Sequence, residues 1–307
     1  MEPNEIVLSN LKFYESIRPK NPPDSYTVLA TVNNSRTGQL LAMATGTQAS
    51  LRQYPDDIQD CHAESLVKRA YKRYLVDAIS RLEVENSVSV VNGSSRAAEL
   101  CRQRLTLFVT QFPCGLANRY EGLEPIDART GKTVRRKPGR GCMKDGNTIY
   151  VDKDSCLVKL QKWVANGLQG SKLVELFDAQ SRIDRILIGD CEADPCYDYK
   201  LLLNRLRASF SSDLCPSIEL VRGVRRPEFI FNAQFQAQPV ALVWWRSSDR
   251  PILQTRELIV DGRRMGLTKS QCSSGDRYFQ LRIADYQLRD DLATLESNFN
   301  LVQPLSK

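Results

Sequence analysis

The segment QDCHAESLVKRAY (residues 59–71) carries His62, the only histidine in 307 residues, two positions before Glu64. Apolar residues follow at Ala63, Leu66, Val67, Ala70, Tyr74 and Ala78. That spacing predicts a helix from His62 to about Ser80. Lys68, Arg69, Lys72 and Arg73 stand beside the apolar stripe. A lone histidine is usually a surface residue or a satisfied core residue, and His-x-Glu is a weak signal by itself. Its meaning depends on the rest of the chain.

The length suits one large domain or two small ones. Hydrophobic residues make up 42% and charged residues 26%, a globular composition. No run of about 18 apolar residues exists, so no membrane span is predicted. The opening MEPNEIVLSN lacks the basic-then-apolar pattern of a secretory signal. Nine cysteines without framework spacing read as reduced thiols of an intracellular chain, nuclear or cytoplasmic. Some are then free to ligate metal. The net charge of +7 is unevenly spread: residues 129–144, RTGKTVRRKPGRGCMK, hold seven Lys or Arg and no acid. Their Pro and Gly predict a loop, read as an insertion over 129–148. Such a run is a solvated loop, a nuclear address or a phosphate-tracking surface.

SYTVLATVNN and QLLAMATGT read as strands around the turn NNSRTG. LTLFVTQF (105–112) is a continuous apolar run, the mark of a buried strand, and leads into Pro113-Cys114-Gly115. DSCLVKLQKWVANGL reads as a helix with Asp154 or Ser155 as its N-cap. RIDRILIGD (182–190), EFIFNAQFQ, VALVWWR and ELIVDG are further strands. GDRYFQLRIADYQLRDDLATLESNF closes the chain as an amphipathic helix. No repeat or low-complexity linker interrupts this order. Alternating strands and helices predict a layered α/β fold in one domain, a mixed β-sheet flanked by helices.

Three positions share a pattern. His62 opens a helix, Cys114 follows a buried strand and Cys156 opens another helix. Catalytic zinc takes three protein ligands and leaves a fourth position for water, and helix N-termini favour thiolate ligands. Glu64 is placed to take a proton from water that the metal activates. His-x-Glu followed by Pro-Cys is the order found in zinc nucleobase deaminases, with Glu as proton shuttle. Their Pro-Cys-x-x-Cys is broken here by Ala117, which disfavours a cytidine deaminase. Spacing alone does not choose the third ligand among Cys156, Cys61 and Cys142. A histidine-dependent hydrolase would have to use His62 as its base, and no Gly-x-Ser-x-Gly elbow supports that.

CHAE, PCG and SCLVKLQKWVANGLQG together resemble the adenosine deaminase domain shared by tRNA-specific adenosine deaminases and double-stranded-RNA editing deaminases. The matching positions of the last segment are Ser155, Cys156, Lys159, Lys162, Trp163, Gly167, Gln169 and Gly170. ATGTQ (44–48) and KPGRG (137–141) also resemble family segments, the latter those of tRNA-type members. The likeness follows the family's order over about residues 26–177 and is weaker over 241–269. It implies a cytidine-deaminase-like fold with zinc ligands at helix starts. It makes His62, Cys114 and Cys156 the zinc ligands and Glu64 the catalytic proton carrier. The Ser-Asp after the family's third ligand is Leu157-Val158 here, and the Asp after Pro-Cys-Gly is Leu116.

The family also buries inositol hexakisphosphate, for which the matching cationic positions are Lys68, Arg69, Lys159, Lys162 and Lys269, together with Trp163. Resemblance to the tRNA-type members implies hydrolytic conversion of adenosine 37 of alanine tRNA to inosine. Arg135, Arg136, Lys137 and Arg140 are the candidate phosphate contacts, and Thr47 and Asn118 are further candidate RNA contacts. The competing readings are an editing deaminase of long RNA duplexes and a catalytically inactive RNA-binding relative. No separate RNA-binding domain is expected before residue 26.

Overall fold

The computed structural model describes residues 1–49, 58–85, 90–116, 154–191, 198–230, 236–267, 271 and 280–300. Helix α1 (Pro3–Ile17) precedes strands β1 (Ser25–Tyr26), β2 (Leu29–Asn34), β3 (Leu40–Thr45), β4 (Thr47–Ala49) and β5 (Asp60–His62). Next come α2 (Ala63–Glu85), α3 (Val90–Cys101), β6 (Arg104–Val109), α4 (Cys156–Asn166), α5 (Ser171–Phe177) and β7 (Arg182–Gly189). The chain continues through α6 (Tyr199–Ala208), β8 (Ser217–Val221), β9 (Gln236–Ala237), β10 (Val240–Trp245), β11 (Arg256–Val260), β12 (Arg263–Arg264) and α7 (Asp285–Asn300).

Eight strands form one sheet in the order β12-β11-β10-β3-β2-β6-β7-β8. Pairing is antiparallel from β12 to β6, then parallel through β7 and β8. Helices cover both faces, so the strands are apolar throughout rather than alternating with polar residues. The period-two rule then divides each strand between two cores. Leu105, Leu107 and Val109 of β6 join the core that holds α2, with Ile186 and Ile188 of β7 and Trp245 of β10. Phe108, Leu187 and Trp244 point the other way, onto Val7, Leu11 and Tyr14 of α1. Helix α1 is docked through Asn10, whose amide donates to Thr31 Oγ1 at 2.8 Å and Asn33 Oδ1 at 2.9 Å.

The mixed α/β layered architecture agrees with the sequence reading, as do the paired strands β2 and β3 and the helices that begin at Ala63 and Cys156. Two segments differ. Glu228 and Phe229, which open EFIFNAQFQ, lie in the 3-10 turn Pro227–Phe229; residues 231–235 are outside the described residues, and Gln236 lies in β9. Proline fixes φ there and removes a ladder donor, and the Phe229 carbonyl accepts from the Gln111 amide at 2.6 Å. Residues 275–279 of the expected closing helix lie outside the described residues, 280–284 are not helical, and the helix begins at Asp285. Before it, Leu281, Ile283 and Ala284 are buried. Arg282 donates its backbone N–H to Glu257 at 2.8 Å, so this stretch docks on β11 instead of coiling. Among the described residues no helix is long and apolar enough to cross a membrane. The described cysteines are free thiols.

Helix α2 lies at the centre of the larger core, and one carboxylate ties it to its neighbours. Asp77 is 7% exposed. It accepts from Arg73, from Trp245 Nε1 at 3.0 Å and from Arg282 at 3.1 Å. Burial favours the neutral acid, but Arg73 and Arg282 overcome this and hold the carboxyl below its ordinary value. Asp77→Ala leaves Arg282 without its carboxylate and Arg73 with Asp291 alone in a partly buried site. It is expected to cost about 3 kcal/mol in chemical denaturation. Because folding depresses the Asp77 pKa, its contribution is full above the unfolded carboxylate range near about 4 and drains away as pH falls through the lower folded value. The wild-type and variant stability curves should therefore converge in acid. Parallel curves down to the acid transition would show that Asp77 contributes no ionic stabilisation.

Candidate metal centre

The centre forms where β5 turns into α2 and where the chain beyond β6 meets α4. Strand β4 pairs with β5 so that Thr47 stands opposite His62. Gly46 lies where a Cβ would overlap the Cys61 carbonyl, and its own carbonyl accepts from Ala63 N–H at 3.0 Å. Only a glycine lets β5 approach this closely. Beyond β6, Cys114 is carried onto the start of α4, where Leu157 N–H donates to the Cys114 carbonyl at 3.0 Å. Gly115 has φ +92°, and a Cβ there would overlap the Ser155 side chain. Ser155 is the N-cap of α4 and accepts from Val158 N–H at 3.4 Å. Of the two residues offered as caps by the sequence, Ser155 fills the role.

These contacts bring His62, Cys114 and Cys156 together, with their ligand atoms all within 4.8 Å of one another. Cys156 N–H donates to Cys114 Sγ at 3.1 Å. One imidazole and two sulfurs at this separation form a donor set that suits zinc. Cys156 is held far above its ordinary pKa by its hydrogen bond with Cys114, by burial, and by the negative charge of Cys114 and Glu64. Such crowding of anionic donors is relieved by a divalent cation, which deprotonates a coordinating thiol outright. The residues therefore fit a zinc ion. Cys61 does not take part: its thiol turns to the Ile58 carbonyl at 3.4 Å, and burial, then Asp60, push it up to about 12. Cys142 lies outside the described residues.

Glu64 is 4% exposed beside these ligands. Burial, followed by the Cys114 sulfur, raises its carboxyl above the ordinary value, while His62 opposes the shift. A buried carboxyl between metal ligands can hold or release a proton without reorganising water.

Sequence reasoning missed Asp60. Its Oδ1 accepts from the His62 ring Nδ1 at 2.6 Å and from the His62 amide at 3.1 Å. Its Oδ2 accepts from Ser65 Oγ at 2.8 Å and is ion-paired with Lys159. Burial alone would raise this carboxyl. The charges and hydrogen bonds of His62 and Lys159 hold it well below its ordinary value. The bond to Nδ1 leaves Nε2 as the metal donor, the arrangement by which a carboxylate fixes an imidazole ligand. An acid two residues before the histidine was the available signal.

The cationic positions divide. Lys68 places its ammonium 5.2 Å from the centre of the buried Trp163 ring. Burial, then Lys72 and Arg69, push it down to about 8. Arg69 forms a bidentate pair with Asp285 at 2.6 and 2.8 Å. Lys159 serves Asp60. Lys162 is largely exposed and pairs with Asp154. Gln169 is a buried structural residue that donates to Ala179 O and accepts from Ser181 N–H, both at 2.9 Å. Lys269, Asn118, Arg135, Arg136, Lys137, Arg140 and the whole basic run lie outside the described residues.

The adenosine-deaminase (editase) domain matches this chain over residues 42–288. The chain belongs to that family. The match begins in β3, ends in α7 and encloses the His-Cys-Cys group. An editase domain carries hydrolytic deamination of adenosine in RNA as its general activity, and the layered fold with ligands near helix starts accords with it.

Asp60→Ala tests the orienting role in this editase domain. Zinc affinity, measured by chelator competition, is expected to fall about 10- to 100-fold while circular dichroism stays that of the wild type. Unchanged affinity would reduce Asp60 to a structural ion pair.

Proposed function

We propose that this chain is a zinc-dependent RNA adenosine deaminase that converts adenosine 37 of alanine tRNA to inosine. The observation that carries the chemistry is a buried Glu64 beside a convergent His62, Cys114 and Cys156. A zinc ion held by these three residues supplies activation of water as a nucleophile at neutral pH. Water adds to C6 of the adenine, and the amino group departs as ammonia. Glu64 takes a proton from the attacking water at its carboxylate and returns it to the leaving nitrogen. Asp60 keeps the His62 ring in place through both steps. Thr47, paired opposite His62, is proposed to touch the ribose or base of the extruded nucleotide.

Resemblance of KPGRG to tRNA-type members supports the substrate. The physical argument is that an anticodon-loop base is already partly unpaired. Extruding it costs less than the few kcal/mol needed to open a duplex step. Arg135, Arg136, Lys137 and Arg140 are proposed to hold phosphates near that loop. An inositol polyphosphate is proposed beside Lys68 and Trp163, where a partly buried ammonium rests on an aromatic face and an anion would return its charge to the ordinary range.

Glu64→Ala should retain one zinc per chain and lose inosine formation, whereas Cys156→Ala should lose the metal. Joint loss of zinc and activity in Glu64→Ala would make Glu64 a ligand. The substrate is decided by sequencing for A-to-I changes in alanine tRNA, its isolated anticodon stem-loop and a long duplex. Inosine is expected in the tRNA. Its appearance in the duplex alone would replace the substrate and leave the zinc chemistry standing.

A further inference from the structure

A groove of about 700 Å³ lies at the end of the sheet away from the metal centre. Four arginines line it: Arg36 in the β2–β3 turn, Arg96 on α3, Arg102 just after α3 and Arg104 at the start of β6. Glu99 is the one acid among the lining residues. Arg104 is paired with Asp184 at 2.9 Å, and Arg102 donates to the Asp178 carbonyl at 3.4 Å. Among the described residues, Arg36, Arg96 and Arg102 form no ion pair.

The groove is a built feature. Asn34 Oδ1 accepts from the amides of Arg36 and Thr37, each at 3.0 Å, which fixes the turn. The Ser35 amide donates to the Arg104 carbonyl at 2.8 Å, joining the turn to β6. The Thr37 hydroxyl accepts from Gln39 N–H at 3.2 Å and keeps its own proton to donate. Leu82 and Leu100 add an apolar part to the lining.

Cations of one sign that converge on a concave surface focus a positive potential there. Guanidinium forks match the oxygens of a phosphate, and the leucines suit the sugar or base attached to it. We propose that this groove binds the phosphodiester backbone of the RNA substrate at a point remote from the edited nucleotide. The proposal rests on the RNA deaminase reading. Helix α2 runs between the two places, with Glu64 near its start and Leu82 near its end. At 1.5 Å per residue they are about 30 Å apart. One nucleotide cannot span that distance. The groove therefore reads the body of a folded RNA, and it favours an intact tRNA over a short hairpin with the same loop.

The test uses the full chain with Arg36→Gln, Arg96→Gln and Arg102→Gln combined, leaving the paired Arg104 in place. Binding of alanine tRNA and of its isolated anticodon stem-loop is measured across a salt series. For tRNA, the log–log salt slope should become shallower by about 2 to 3, and affinity at low salt should fall about 10-fold or more. Stem-loop affinity, stem-loop deamination and zinc content should match the wild type. If the wild type deaminates tRNA and the variant binds it with unchanged affinity and slope, the groove does not hold RNA, and the deaminase reading survives. Equal losses for tRNA and stem-loop would also overturn a remote site. A wild-type chain that neither binds nor deaminates RNA would overturn both readings.

Discussion

The Asp60 carboxylate is the constraint on which the centre depends. It is 8% exposed, and a charge so placed costs several kcal/mol unless its oxygens are satisfied. Satisfaction comes from the His62 amide and ring, the Ser65 hydroxyl and the Lys159 ammonium. Those donors belong to β5, to the first turn of α2 and to α4. Lys159 is 99 positions along the chain from Asp60. The carboxylate is therefore content only when α2 and α4 have both docked, and that same docking places Cys156 beside His62. One ionic requirement thus couples the fold to the assembly of the metal ligands.

The sheet supplies the third ligand by a different route. Strand β6 lies where antiparallel pairing gives way to parallel pairing. Its end delivers Cys114 between the N-termini of α2 and α4, where backbone N–H groups and helix dipoles favour anionic side chains. Glycines make the approach possible. Gly46 lets β5 close on β3, and Gly115 lets the cysteine segment lie against Ser155. The donor set is anionic because the helix ends tolerate it, and it is crowded because the glycines permit it.

Much of this was legible in the sequence, for identifiable reasons. The apolar runs of β2, β3, β6, β7 and β10 announced a sheet covered on both faces. The helical spacing after His62 announced α2. Helix α1 is harder to read, although Ile6, Val7, Asn10, Leu11 and Tyr14 are spaced to bury one face. Its partner face is spread over β2, β3, β6, β7 and β10, which no local pattern reveals. Asp60 carries little sequence signal of its own, because a carboxylate beside a histidine is common and only the fold brings Lys159 and Ser65 onto it. The third ligand could not be chosen from spacing. The structure separates Cys61 from Cys156 by where each thiol points.

The departures from the family pattern have a physical consequence. Leu116 stands where the resemblance read in the sequence implies an Asp, and it is 4% exposed within the α2 core. Leu157 packs partly against that core. Positions that could have carried polar groups around the ligands are here used for packing, and an apolar side chain of similar size is no worse for stability than a buried polar one. Three contacts among the described residues orient the ligands. Asp60 fixes the imidazole, Ser155 fixes the start of α4, and the Cys156 amide holds the Cys114 sulfur. Each of these contacts acts on a ligand or on the helix end that carries one, so the loss of any of them falls on ligand geometry.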